Sequence, residues 1–331
     1  MNISAYIKYW NNVVRAWLDY DLFDKDLRKE KEQVLCHSIL SKVLRTHHVP
    51  GPYMGNPKKA SIVILNYNPG GSSDNDYTKC HQCLRCNRNY YSVINYIDRH
   101  GYSGFAEDFP YLNDNVSEEL KRSLDGGKKW WLKKKKWIDN LTSAYCSEES
   151  NDKKETKRKS KNNKRLTKLP FAMEICGWHS KGWPSNVLNN LNSNQGLGKH
   201  LNKTVVQPMI DVIIKNKTFG VCIGGAIGDM LLNMGFVNIT DRLANHLNIS
   251  SSAAVNVINV SPNNNGYTFI LNSNVKTGRN YRLLWHKKKD AFVINTWVNG
   301  SNHHPSKDYF GLERNIVSLI KSLSKTPIAI P

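Results

Sequence analysis

The chain has 331 residues, of which 40% are hydrophobic, so it is long enough to bury a sizeable core. It has no apolar run of about eighteen residues, so no membrane span is expected, and its start, "MNISAYIKYW", lacks the layout of a secretion signal. Seven cysteines without such a signal point to the reducing cytoplasm and to free or metal-bound thiols, while a formal charge of +20 calls for an anionic partner, usually nucleic acid.

Residues from Ala5 to about Leu44 read as helical, with apolar positions at Val13, Val14, Trp17, Leu18, Val34, Leu35, Ile39, Leu40 and Val43. They form an N-terminal helical extension over residues 1–50. "HHVPGPYMGNPKKA" is a Pro/Gly-rich loop. The run Ala60–Asn66 is the kind of short apolar strand that a parallel sheet buries on both faces. It leads into Asn66-Tyr67-Asn68-Pro69-Gly70-Gly71, a strand exit that no helix-capping pattern explains. "NRNYYSVINYIDRHGY" then predicts a helix ending near Gly101.

Charge concentrates next. Residues 121–168 hold 17 Lys and Arg against 6 Asp and Glu, a net +11, and form a basic, partly disordered insertion. "KKWWLKKKKWIDNLTSAY" reads as a basic helix carrying Lys133, Lys134, Lys135 and Lys136; Lys157, Arg158 and Lys159 fall in a polar stretch expected to be a mobile loop. These cations would hold phosphates. Trp130, Trp131 and Trp137 are expected to stack on unpaired bases, with at least one of them packed in the core instead.

Further strands follow in "LPFAMEICGW", "TFGVCIGG", "AAVNVINV", "YTFILN", "YRLLWH" and "AFVINTWV", with a helix at "AIGDMLLNMGF" and an amphipathic one at "LERNIVSLIKSLSK". Alternating strands and helices imply an α/β fold, a three-layer α/β/α sandwich around a mostly parallel central sheet, in a single domain spanning 1–331. The glycines of "CIGGAIGDML" lack the spacing of a phosphate loop and read as close strand–helix packing. Cys80, Cys83 and Cys86 form a C-x₂-C-x₂-C run suited to a structural zinc or an iron–sulfur cluster, with no obvious fourth ligand; the alternative is free thiols.

Asn68-Pro69-Gly70 after the first core strand and His304-Pro305-Ser306 after the last, in this order, resemble the uracil-DNA glycosylase superfamily, closest to its mismatch-specific and single-strand-selective branches. Asn66 stands where that family usually has Gly. The resemblance covers about 57–121 and 169–312 and implies a uracil-DNA glycosylase-like fold acting on DNA, double-stranded or locally unpaired; the chain is expected to be a monomer. It implies catalysis by Asn68, whose carbonyl holds the attacking water, and by His304, which donates to the base as negative charge develops. Asn66, Tyr67, Pro69, Gly70, Gly71, Glu174, His179 and Ser306 would line the base pocket, and no cofactor is required for the chemistry.

The strict uracil-specific branch has Tyr at the place of Gly70, so Gly70 and Gly71 leave room beside base C5. A carboxylate at Glu174 suits the N4 amino group of cytosine. Together these favour a 5-substituted cytosine, such as the glucosylated hydroxymethylcytosine of phage DNA that some members of the superfamily excise in anti-phage defence. Repair of uracil or mismatched thymine is the alternative within the class, and a catalytically silent nucleic-acid-binding module the alternative outside it.

Overall fold

The first helix, α1 (Ile3–Asp19), turns Tyr6, Tyr9, Trp10, Val13, Val14, Trp17 and Leu18 inward at three- and four-residue spacing, the stripe that buries one helix face. The computed structural model describes residues 1–19, 21–45, 49–67, 88–107, 109–112, 116–118, 120, 131, 132, 135, 137–139, 141, 169–180, 184–238, 257–263, 266–271, 279–286 and 288–298. Asn2 caps α1 by accepting the Ala5 N–H at 2.9 Å, and the Asp24 side chain caps α2 (Lys25–Glu30) through the N–H groups of Asp26 and Leu27. A π-helical turn (Lys31–Leu35) and a short 3₁₀ turn (Leu40–Lys42) complete the helical extension.

Among the described residues the chain is α/β, with a nine-stranded mixed sheet. Its centre is parallel: β3 (Val63–Asn66) lies between β4 (Phe171–Glu174) and β6 (Gly220–Ile223), and β6 pairs in turn with β11 (Ala291–Val298). Every residue of β3 and β4 is buried, as strands covered on both faces require. The flanks are antiparallel. At one edge β2 (Tyr53–Met54) pairs with β4. At the other, β10 (Arg279–His286) follows β11, then β9 (Gly266–Leu271) and β8 (Val257–Asn263), while β7 (Val237–Asn238) also joins β10. A separate ribbon pairs β1 (Leu44–Arg45) with β5 (His179–Ser180).

The sequence reading anticipated a helix after β3. That helix, α3 (Arg88–Glu107), breaks at Gly101 and then continues to Glu107 rather than stopping. Unanticipated is the helical stretch between β5 and β6: α4 (Ser185–Asn189), α5 (Gly196–Leu201), a π-helical turn (Asn202–Val206) and α6 (Gln207–Lys215). Pro208 sits where the π-helical turn passes into α6, and Met209, Ile210, Val212 and Ile213 face the core. Asp211 accepts the Ile3 N–H at 2.9 Å and so ties α6 to α1. Side chains of α1, β3, β4, α6, β6, β11 and α7 (Gly225–Asn233) belong to one contiguous apolar core.

Strand order positions the site. From β3 the chain reaches β4 on one side, then crosses to β6 on the other. The order therefore reverses at β3 and β6, and in open α/β sheets ligands bind beyond the carboxyl ends of strands at such a reversal.

Candidate active site

At the carboxyl end of β3, Asn66 lies directly across from Glu174 in the strand register. Both are buried, and the Asn66 Nδ2 donates to Glu174 Oε1 at 3.4 Å. The pairing continues past the strands: the Ile175 N–H donates to the Asn66 carbonyl at 2.8 Å and the Cys176 N–H to the Tyr67 carbonyl at 3.1 Å. The backbone of Asn66 and Tyr67 is thereby fixed on its β4 side.

Tyr67 turns the other way, towards β6. Its ring lies against Gly224, where a Cβ would overlap both the ring and the hydroxyl. Gly224 has φ +125°, a conformation L side chains rarely adopt, so glycine serves here both for backbone and for space. The Tyr67 hydroxyl accepts the backbone N–H of Ala226 in the first turn of α7. Burial pushes that hydroxyl up to about 12, the neighbouring Cys222 thiol adds to the rise, and the Ala226 N–H opposes it. Tyr67 is thus a neutral phenol that retains its own hydrogen to donate.

The β11 exit is bound to the same turn. The Gly224 N–H donates to the Thr296 carbonyl at 2.9 Å, and the buried Asn295 amide donates to the Gly224 carbonyl at 2.8 Å. The edge of the Trp297 indole lies beside Gly225, 3.5 Å from where a Cβ would stand. The ends of β3, β6 and β11 therefore meet at Gly224, with Asn66 and Glu174 on one flank. Tyr111, near enough to Glu174 for its charge to add to the effect of burial, is also raised to about 12. A carboxylate, an amide and a phenol at one strand edge can read the polar rim of a heteroaromatic ring.

Of the residues singled out by sequence, the structure brings Asn66, Tyr67 and Glu174 together. His179 lies five positions beyond Glu174, in β5, with Arg45 as its register partner. Asn68, Pro69, Gly70, Gly71, His304 and Ser306 lie outside the described residues, as do Cys80, Cys83 and Cys86. Lys133, Lys134, Lys136, Lys157, Arg158, Lys159 and Trp130 also lie outside them. Lys135 forms an i,i+4 ion pair with Asp139 at 2.7 Å, a partly exposed contact that a phosphate can displace at little cost.

One expectation needs correction. Trp131 and Trp137 are only 5% and 2% exposed, so both are core side chains and neither offers a face to an unpaired base. Trp131 instead meets Phe109 edge to face, with ring centroids 4.9 Å apart. The glycines after β6 do mark a close approach of strand to helix: the Tyr67 ring, at the β3 exit, lies against Gly224 at the start of α7.

Sequence reasoning missed Asn295 and Glu30. Asn295 is fully buried within "AFVINTWV", and a lone amide inside an apolar strand was the available signal. Glu30 is 1% exposed at the end of α2, among charged neighbours that gave no hint of its burial. Among the described residues no group of three or more His, Cys, Asp or Glu side chains could hold a metal, and Cys176 and Cys222 are buried thiols. No helix among them is long and apolar enough to cross a membrane.

The chain matches no protein-family model, no curated protein and no solved structure.

Proposed function

We propose that the chain is a monofunctional DNA glycosylase of the uracil-DNA glycosylase type, built as a three-layer α/β/α sandwich, that flips out and releases a 5-substituted cytosine. One observation carries the reading. The strands that run into Asn68 and His304, β3 and β11, are parallel members of one sheet, separated only by β6, so they leave it at the same edge. The two described strand ends that precede these motifs in sequence thereby lie on one side of the sheet, at the reversal of strand order.

Hydrolysis of an N-glycosidic bond needs a water held at the sugar C1′ and a sink for charge on the leaving base. In this reading the Asn68 amide oxygen holds the water, and the His304 imidazole donates to the base oxygen as the anion develops. Glu174, buried and oriented by Asn66, accepts from an exocyclic amino group. Gly70 and Gly71 leave space beside C5, which suits a bulky substituent of the kind found in modified phage DNA. The basic block supplies phosphate contacts for the duplex or for locally unpaired strands.

The test is base release. The protein is incubated with oligonucleotides bearing uracil, thymine mismatches or 5-substituted cytosines, and with natural modified phage DNA, and the freed bases are identified by mass. Release of a 5-substituted cytosine is the expected result, lowered roughly 10²–10³-fold by Asn68→Ala or His304→Ala with DNA binding nearly intact. Release of uracil or thymine alone would assign a repair role, and release of no base would leave a nucleic-acid-binding module.

A further inference from the structure

Glu30 is a buried carboxylate from the N-terminal helical extension, a part of the chain that the family resemblance does not cover. Three donors converge on it. The Tyr9 hydroxyl donates to Oε1 at 2.6 Å, the His200 Nε2 lies 2.7 Å from the same oxygen, and the Trp178 indole N–H donates to Oε2 at 3.3 Å. Glu30, His200 and Trp178 are 1%, 5% and 1% exposed. An acceptor-only carboxylate satisfies all three, with the hydrogen of His200 on Nε2; His200 Nδ1, also buried, has no partner among the described residues. Such a cluster holds its geometry strongly, because losing one member strands the others without water.

Its position gives the cluster a role. Trp178 ends the segment that leaves β4 directly after Glu174, and the N-terminal region holds that segment at several further points. The Trp10 ring packs on Gly177, 2.7 Å from where a Cβ would stand, and the Gly51 N–H donates to the Gly177 carbonyl at 2.7 Å. The Tyr6 hydroxyl donates to the Pro52 carbonyl at 3.0 Å, and that same carbonyl accepts the Glu174 N–H at 2.9 Å. Beyond Trp178, β1 pairs with β5.

We propose that Glu30 is a positioning residue for the candidate site: through Trp178 it anchors the 175–178 segment and so holds Glu174 in register opposite Asn66. The N-terminal extension is thereby part of the base-reading apparatus. Only the activity arm of the test below rests on the glycosylase reading.

Three full-length variants separate anchoring from general stability. Trp178→Phe removes the indole N–H together with the five-membered ring of a buried side chain, so its effect is read beside Glu30→Leu, which leaves the Trp178 ring in place. Glu30→Leu removes the acceptor. Glu30→Gln keeps a carbonyl for Trp178 and offers an amide N–H to His200, whose ring can carry its hydrogen on Nδ1 instead. Amide hydrogen exchange of the intact protein is the first readout. Exchange at Glu174, Ile175 and Cys176 is expected to speed up about tenfold or more in Trp178→Phe and Glu30→Leu, with β6 and β11 unchanged and Glu30→Gln close to wild type. In the activity arm, the same two variants lower kcat for base release about tenfold at unchanged KM.

Unchanged exchange at those three amides in Trp178→Phe, or a uniform rise across β6 and β11, would overturn the proposal. Equal losses in Glu30→Gln and Glu30→Leu would do so too, because charge rather than the tether would then be responsible. A wild-type protein that releases no base would defeat the glycosylase reading alone, since the exchange result decides the anchoring by itself.

Discussion

The ring of Tyr67 rests on Gly224, and its hydroxyl takes the Ala226 N–H, so the exit of β3 is braced against the start of α7. Gly224→Ala introduces a methyl group where the ring lies, at a backbone conformation costly for any L residue. It is expected to destabilise the protein by about 1–3 kcal/mol. Tyr67→Phe removes only the hydroxyl and is expected to cost about 0.5–1.5 kcal/mol. Denaturant unfolding of both variants measures the difference, and an Ala at 224 no more harmful than Phe at 67 would contradict the contact.

Under the glycosylase reading, substrate choice can be tested at Gly70 and at Glu174. Gly70→Tyr installs the ring used by the uracil-specific branch and should abolish release of a 5-substituted base while sparing any uracil activity. Glu174→Gln replaces an acceptor with an amide that can offer either a donor or an acceptor. It should shift the ratio of cytosine-like to uracil-like release by about ten- to a hundredfold, equivalent to one mismatched hydrogen bond of roughly 1–3 kcal/mol. Competition assays with the two bases in one reaction give the ratio directly.

Removing residues 151–168 should weaken binding to every DNA sequence alike and reduce the slope of affinity against salt, because phosphate contacts carry no sequence information. Titrations at several salt concentrations test this. A change of base preference at unchanged affinity would show that the segment acts in the pocket instead.

Cys80, Cys83 and Cys86 should bring about one zinc ion, or iron with sulfide, into protein purified without a histidine tag. Elemental analysis of the wild type and of a triple Cys→Ser variant checks the assignment. Metal-free, fully active wild-type protein would return the three to ordinary thiols.

Alkaline pH should unfold the protein through its buried tyrosines. Tyr67 and Tyr111 keep their protons to about 12, against about 10 in an unfolded chain, and burial moves Tyr6, Tyr53 and Tyr102 the same way. The folded state therefore binds more protons between those values. Its stabilisation is complete below about pH 10 and is lost as pH rises towards 12. Denaturation midpoints should be level from about pH 7 to 9 and fall above 10, and a level midpoint up to pH 12 would contradict the burial.

What the sequence determined by itself were the strands at the centre. "IVIL" and "FAM" are apolar on both faces, and a segment buried from both sides must carry that pattern in its own few residues, whatever its neighbours. The same local logic located the helix of "AIGDMLLNMGF". Helices α5 and α6 escaped because the polar run "NNLNSNQGLGKHLNK" hides the start of their apolar spacing. Tertiary structure alone decided who meets whom. Asn66 and Glu174 are 108 positions apart, and Glu30 reaches Trp178 across 148. Local periodicity reports which face of an element is covered, not by what. A buried charge such as Glu30 looks like any surface glutamate until the chain's long-range packing removes its water and supplies three donors in exchange.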